Sequence, residues 1–347
     1  MTAMRREIEE QPEALERTLA ALLPAVPDLR AVARDCRQVL LIARGLSDNA
    51  AVYGSYVCAV RGGRLATLAS PSVATAYSAR VDLTGVLAVG VSQSGQTEEI
   101  VETLTWARDN GARTVAVTNG AGSVLTEVAD VSLVTQAGPE LAVPATKTFT
   151  TQLLALAVLG LALRGDHAAL QGLDRVAPAV HEALGTAAVA EELAAQLVAV
   201  RRLVVSGRGY ASAVALELAL KLEEACYVTA MGMSGADLQH GPIAVVDAET
   251  PALLVAAADG PVLPGVRALA ERVRGAGAAA YAITADAELA AACTSTLPGT
   301  DLPEHIAPVA LVVPGQLLVE ALARAKGLDP DAPRGLRKVT QTDTGPG

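Results

Sequence analysis

The stretch that most restricts how this chain can fold is Val86-Leu87-Ala88-Val89-Gly90-Val91, followed at once by Ser92-Gln93-Ser94-Gly95-Gln96-Thr97 and then Glu98-Glu99-Ile100-Val101. The apolar run is too short for a helix and has no polar alternation, so it reads as a strand buried on both faces. Such a strand belongs in a parallel sheet covered by helices. Beyond the loop, Ile100, Val101, Leu104 and Ala107 fall on one face of an amphipathic helix. A helix start leaves backbone N–H groups unpaired and carries the positive end of the helix dipole. Ser92, Ser94 and Thr97 add hydroxyls there, and Gly95 removes the Cβ that would keep an anion at a distance. No Lys or Arg lies in the loop, which suits a metabolite phosphate better than a nucleoside triphosphate. Ser and Thr are also the preferred N-caps, so these residues fit a merely capped helix start equally well.

The same alternation runs through the chain. Residues 4–23 read as a charged amphipathic helix interrupted by Pro12, which opens its second part. Residues 38–43 form a buried strand that passes through Arg44-Gly45-Leu46-Ser47-Asp48-Asn49 into a helix over 50–61. Further strands are expected near 65–69, 112–118 and 131–135, with an irregular stretch over 70–82. A long helix over 146–163 follows the break at Gly138-Pro139-Glu140. Then the pattern repeats. Leu203-Val204-Val205-Ser206-Gly207-Arg208-Gly209-Tyr210 mirrors Leu40 to Ser47, and the strand, helix and strand at 251–257, 264–274 and 278–283 mirror those of 86–118. The second copy has Ala257-Ala258-Asp259-Gly260 where the first has its hydroxylic loop, and the carboxylate would repel phosphate. The expected fold is therefore α/β: two similar doubly wound subdomains with parallel sheets and one phosphate site. The divisions are a helical segment 1–30, a first subdomain 31–164, an Ala-rich helical linker 165–200, a second subdomain 201–328 and a polar surface tail 329–347.

Only 2% of residues are aromatic although 51% are hydrophobic, so the core must be built from Ala, Val and Leu. No apolar run reaches the roughly 18 residues of a membrane span, and the N-terminus has no signal-peptide core. Cys36, Cys58, Cys226 and Cys293 have no CxxC spacing and read as buried thiols of a reducing cytoplasm. The four histidines lack paired metal-ligand spacing, so neither metal nor cofactor is expected. A net charge of −10 argues against nonspecific nucleic-acid binding.

Several ordered segments together resemble the sugar isomerase (SIS) domain family, and within it the isomerase half of glucosamine-6-phosphate synthases. They are Glu7-Ile8-Glu9-Glu10-Gln11-Pro12, the Ser92–Thr97 loop, Pro144-Ala145-Thr146-Lys147-Thr148-Phe149-Thr150, Ala219-Leu220-Lys221-Leu222-Glu223-Glu224, Leu238-Gln239-His240-Gly241-Pro242 and Pro333-Arg334-Gly335-Leu336-Arg337-Lys338. The resemblance covers nearly the whole chain and implies tandem SIS domains. It implies phosphate and sugar contacts at Ser47, Ser92, Gln93, Ser94 and Thr97, and places Val143, Ala145 and Lys221 beside the substrate. Glu224 matches the base that moves a proton between C1 and C2. His240 matches the ring-opening group supplied by the neighbouring subunit of a homodimer. Lys338 matches a tail lysine that can form a Schiff base with the open-chain sugar.

The chemistry asks for one carboxylate that takes a proton from carbon and returns it to the next carbon. A glutamate serves if burial raises its pKa toward about 6–7. Glu224 lies on a largely apolar helix face with Leu220, Lys221 and Tyr227. Without the resemblance, Glu224 reads as a solvated helix glutamate, His240 as a structural histidine as readily as a cleft residue, and Lys338 as a solvated charge. Three departures from the synthase pattern shape the expectation. The chain starts at Met1-Thr2 without an N-terminal cysteine nucleophile, so glutamine is not expected to be its own nitrogen source. Ala145 stands where a serine is usual, which removes a hydroxyl contact and frees space near the sugar. Gly235-Ala236-Asp237-Leu238-Gln239 alters the approach to His240. The favoured expectation is deamination of glucosamine 6-phosphate to fructose 6-phosphate and ammonia. The alternatives are dehydration of N-acetylglucosamine 6-phosphate by enolisation and loss of the 3-hydroxyl, and a noncatalytic sugar-phosphate sensor.

Overall fold

The structure, a computed structural model, describes residues 1–338. Residues 339–347 of the expected tail lie outside the described residues. Ten parallel strands form two five-stranded sheets, with strand order β2-β1-β3-β4-β5 in the first and β10-β9-β8-β6-β7 in the second. The first holds β1 (Gln38–Ile42), β2 (Leu65–Leu68), β3 (Val86–Val91), β4 (Arg113–Thr118) and β5 (Val131–Val134). The second holds β6 (Arg202–Gly207), β7 (Thr229–Ser234), β8 (Ala252–Val255), β9 (Ala280–Thr284) and β10 (Ser295–Pro298). Read from opposite ends, the two orders are the same, so one doubly wound pattern occurs twice. In each, the chain leaves its first strand to one side and returns on the other, opening a crevice at the strands' C-terminal ends.

The helices run in chain order from α1 (Ala3–Glu9), α2 (Gln11–Leu22), α3 (Val26–Val32), α4 (Leu46–Tyr56), α5 (Ser72–Thr75), α6 (Glu98–Asp109), α7 (Val124–Val128), α8 (Lys147–Arg164) and α9 (His167–Gln171). Then come α10 (Val176–Leu184), α11 (Ala187–Leu197), α12 (Ser212–Cys226), α13 (Gly235–Gln239), α14 (Leu263–Gly275), α15 (Ala287–Ala292) and α16 (Pro308–Ala325). The chain divides into two compact units that do not follow its linear halves. One comprises Met1–Pro12, Leu141–Lys147 and Arg175–Lys338; the other comprises Glu13–Glu140 and Thr148–Asp174.

Most expected elements occur within a few residues of their places, and the exceptions have local causes. The helix expected over 50–61 starts at Leu46, because Gly45 takes φ +59° and turns the chain directly into it. It ends as an α-helix at Tyr56 and continues as a wider turn over Val57–Arg61. The stretch 70–82 contains one helical turn, α5. Pro12 occupies the second position of α2, where its missing N–H costs nothing.

In the first unit to be read from sequence, Ile42, Ala88, Ile100, Leu104 and Leu125 pack into one core. Burying a side chain such as Leu104 contributes about 1.5–3 kcal/mol. Val204, Leu254, Val266, Leu269 and Ala280 do the same around the second sheet. Gly315 lets α16 approach α12: a Cβ there would lie 2.4 Å from Leu218 Cδ1. By length and composition α16 is apolar enough to cross a membrane, which the run-by-run reading missed because Pro314 and Glu320 interrupt it. Its apolar window is 89% buried inside the structure, so its hydropathy serves the core. All four cysteines are free and buried.

Candidate active site

The hydroxylic loop lies at the C-terminal end of β3. Ser92 accepts a hydrogen bond on Oγ from the Gly95 N–H (3.2 Å), and its hydroxyl pairs with that of Thr97 at 3.1 Å. Ser94 Oγ accepts from the Gln96 N–H at 3.1 Å. Thr97 is the N-cap of α6 in backbone position, yet its side chain makes no capping bond. The hydroxyls thus shape the loop, and the Thr97 side chain does not cap the helix start. Ser92 is buried, while Gln93, Ser94 and Thr97 are half-buried. The turn after β4 braces the loop: the Asn119 N–H donates to Gln93 O and the Leu125 N–H to Gly95 O, both at 3.1 Å.

Gly95 has φ +65°, and a Cβ there would lie 2.1 Å from Ser123 Oγ and 2.8 Å from Thr118 Oγ1. The protein's own packing therefore requires this glycine, a cause beyond the anion approach inferred from sequence. Ser123 Oγ is buried with no hydrogen-bond partner among the described residues. Ser47, in the first turn of α4 and buried, accepts a bond from Gln152 Nε2 at 3.1 Å.

Sequence reasoning found no cation in the loop, but the fold brings one to it. Strand register pairs Ile42 with Gly90, so the segments that leave β1 and β3, with Arg44 and Ser92, emerge from adjacent strands. Arg44 donates from Nε and Nη2 to the two carboxylate oxygens of Glu99, each at 2.8 Å. The signal was the parallel pairing of β1 and β3, which a motif search does not use.

The acid–base candidates belong to the other unit. On α12, Glu217, Lys221 and Glu224 fall on one face by i, i+4 and i, i+3 spacing. Lys221 Nζ donates to Glu224 Oε2 at 2.7 Å and lies 3.3 Å from Glu217 Oε1. Burial alone pushes the Lys221 ammonium down, but the two carboxylates outweigh it and hold the group above its ordinary value. Lys221 and Glu217 are buried, whereas the Glu224 side chain is 22% exposed and the neighbouring Glu223 is exposed. Glu217 was absent from the sequence reading, although its spacing from Lys221 was legible.

Tyr227 ends α12 in the left-handed region (φ +52°). Its hydroxyl accepts the Arg334 N–H at 2.9 Å, and the Arg334 guanidinium carbon lies 4.2 Å above its ring. The Asp331 carboxylate accepts the N–H groups of Ala3 and Met4 at the start of α1, and its carbonyl accepts the Val143 N–H. Lys338 Nζ donates to Ala142 O at 2.5 Å. Lys338 is thus tied beside Val143, and the described part of the tail is latched rather than loosely solvated. Ala145 is buried at 2% exposure. The Glu7 carboxylate accepts from the Leu141 and Ala142 N–H groups, and Lys147 pairs with Glu10. His240 caps the C-terminus of α13, is exposed, and makes no side-chain hydrogen bond to Glu224 or Lys338 among the described residues. Among the described residues, no three His, Cys, Asp or Glu side chains gather as a metal-ligand set.

A sequence profile of the SIS domain matches residues 34–162 and again 196–323. The chain belongs to the SIS domain family. Its two profile matches each contain one of the parallel sheets. This SIS protein is 32% identical over 351 residues to a glutamine–fructose-6-phosphate aminotransferase (isomerizing) of Aquifex aeolicus, covering 98% of this chain and 58% of that protein. The chain therefore spans less than two thirds of that relative. Among solved structures, the C-terminal domain of the glucosamine-fructose-6-phosphate aminotransferase of Francisella tularensis superposes with a TM-score of 0.87 at 26% identity, covering 96% of this chain and 98% of that one. A glucosamine-6-phosphate deaminase of Thermotoga maritima shares the fold, with a TM-score of 0.78 at 20% identity over 98% of this chain and all of that one.

Proposed function

We propose that this SIS protein is an amino-sugar 6-phosphate isomerase/deaminase, converting glucosamine 6-phosphate and water to fructose 6-phosphate and ammonia. The observation that carries the reading is Glu224, half-buried and held on Oε2 by a buried lysine, with Oε1 accepting no hydrogen bond among the described residues. That is the arrangement a carbon acid needs: one fixed carboxylate oxygen and one available for the proton. The names of the aminotransferase and deaminase relatives support an amino-sugar phosphate as substrate.

In this reading Ser47, Ser92, Gln93, Ser94 and Thr97 hold the phosphate and sugar, with Val143 and Ala145 beside the substrate. His240, donated by a second copy of the chain, opens the ring; its exposure and that of Val245 nearby suit a partner surface. Glu224 removes the C2 proton and returns it to C1, while the C1 carbonyl oxygen gains a proton. The resulting C2 imine is hydrolysed, releasing ammonia. Lys338 contacts the open-chain carbonyl and can condense with it, expelling water.

The test is a substrate panel of glucosamine 6-phosphate, N-acetylglucosamine 6-phosphate and fructose 6-phosphate with ammonium, followed by phosphorus and carbon NMR. Ammonia with fructose 6-phosphate from the first substrate, lost in Glu224→Gln, is the expected result. Water loss from the acetylated sugar without ammonia replaces the reading with a dehydratase. Binding without any turnover replaces it with a sensor. Light scattering that returns a monomer removes the shared role of His240.

A further inference from the structure

The geometry points to Arg44 as the residue that makes the site selective for a phosphate over an uncharged sugar end. The inference rests on the phosphate-cradle reading and adds a cation to it. Arg44 follows the end of β1 and Ser92 follows the end of β3; these strands pair in parallel as far as Ile42 with Gly90, and neighbouring strands lie about 4.8 Å apart. Gly45, at φ +59°, turns the chain immediately afterwards, and the Arg44 side chain stays partly exposed.

Its docking is one-sided. Nε and Nη2 are engaged by the Glu99 carboxylate, and Nη1 makes no hydrogen bond among the described residues. The Arg44 side chain is 44% exposed, whereas that of Glu99 is 10% exposed. The buried Glu99 therefore acts as an anchor for a guanidinium that remains partly exposed. Charge explains why an anchor is needed. Glu98 and Glu99 both sit in the first turn of α6, where carboxylates compete with any anion for the positive helix end. Arg44 neutralises Glu99, the buried one of the two, and still offers N–H donors to a dianion. Glu98 is exposed and screened by water.

Titration calorimetry of the full chain with inorganic phosphate tests this, with Arg44→Ala, Glu99→Gln and Ser92→Ala compared. Arg44→Ala is expected to weaken phosphate binding at least tenfold, and to raise the KM for glucosamine 6-phosphate more than it lowers kcat. Glu99→Gln keeps an acceptor for Arg44 but removes the competing charge, and is expected to tighten phosphate binding severalfold. This variant decides the matter if Arg44→Ala fails to fold. Arg44→Ala binding phosphate within twofold of the parent, while Ser92→Ala loses it, overturns the role of Arg44 and leaves the cradle standing. Glu99→Gln binding no tighter than the parent overturns it as well. Ser92→Ala with unchanged binding overturns the cradle reading, and Arg44 with it.

Discussion

The turn at Arg44-Gly45 after β1 has a counterpart at Arg208-Gly209 after β6, in a sheet of the same strand order, with both glycines near φ +60°. The alignment anchored on these turns differs by one residue from the one drawn by strand hydrophobicity alone, since the turn and not the strand length sets equivalence. Around Arg44 the loop carries hydroxyls, and the buried carboxylate of Glu99 is docked to the arginine. Around Arg208 the following loop carries Asp259, and Glu304 closes a cavity of about 10 Å³, room for a single water. Burial, and then the charge of Asp259, push the Glu304 carboxyl above its usual range. An anion has no place there. What the second copy carries instead lies on the helix after its first strand: Glu217, Lys221 and Glu224 on α12, where the first copy has Ser47 on α4. In the proposed reading, the first copy carries the anion-binding residues and the second the proton-transfer residues.

The largest test of this division is Glu224→Gln. Loss of a positioned acid–base group is expected to lower kcat by about 10²–10⁴-fold, while phosphate binding measured by calorimetry stays within twofold. If phosphate binding falls with kcat, the two chemistries are not separable. Ser92→Ala is expected to do the reverse, with phosphate affinity down about tenfold, in line with charge-assisted bonds of about 1.5–3 kcal/mol, at little cost to the melting temperature. Tyr227→Phe deletes the acceptor for the Arg334 N–H and leaves the ring. It is expected to cost about 0.5–1.5 kcal/mol, read as a two- to tenfold fall in turnover without loss of phosphate binding. The smallest effect is on stability. The Glu304 pKa is raised in the folded chain, so its ionisation opposes folding. That cost appears as pH rises above the ordinary value of 4.5 and is complete above the folded value. Glu304→Gln should therefore melt slightly higher than the parent at pH 7.5, and the difference should vanish near pH 4. A difference that persists in acid would mean that packing, not charge, limits the second crevice.

The fold was largely readable because its strands are short, wholly apolar runs separated by helical periodicity, as at Val86–Val91 and Ala252–Val255. The hydroxylic loop was readable because its residues are contiguous. Arg44 was not, since its partner Glu99 is distant in sequence and the two meet only once β1 pairs with β3 and α6 follows. The Asp331 latch on α1 is hidden for the same reason, because it joins opposite ends of the chain. Glu217 escaped for another cause: a buried carboxylate on an apolar helix face resembles any surface glutamate until the depth of Lys221 is known.

The four buried thiols have a practical consequence for labelling chemistry. Burial pushes Cys58 and Cys226 up to about 12 and Cys293 to about 11, and it raises Cys36 too, with Arg113 pulling the other way. At neutral pH the reactive thiolate of the first two is present in less than about one molecule in 10⁴. A maleimide should therefore pass over the native chain. Gln96, exposed in the middle of the hydroxylic loop, then becomes a place where one introduced cysteine carries a fluorophore alone, and the emission of that single dye would report when the loop is occupied.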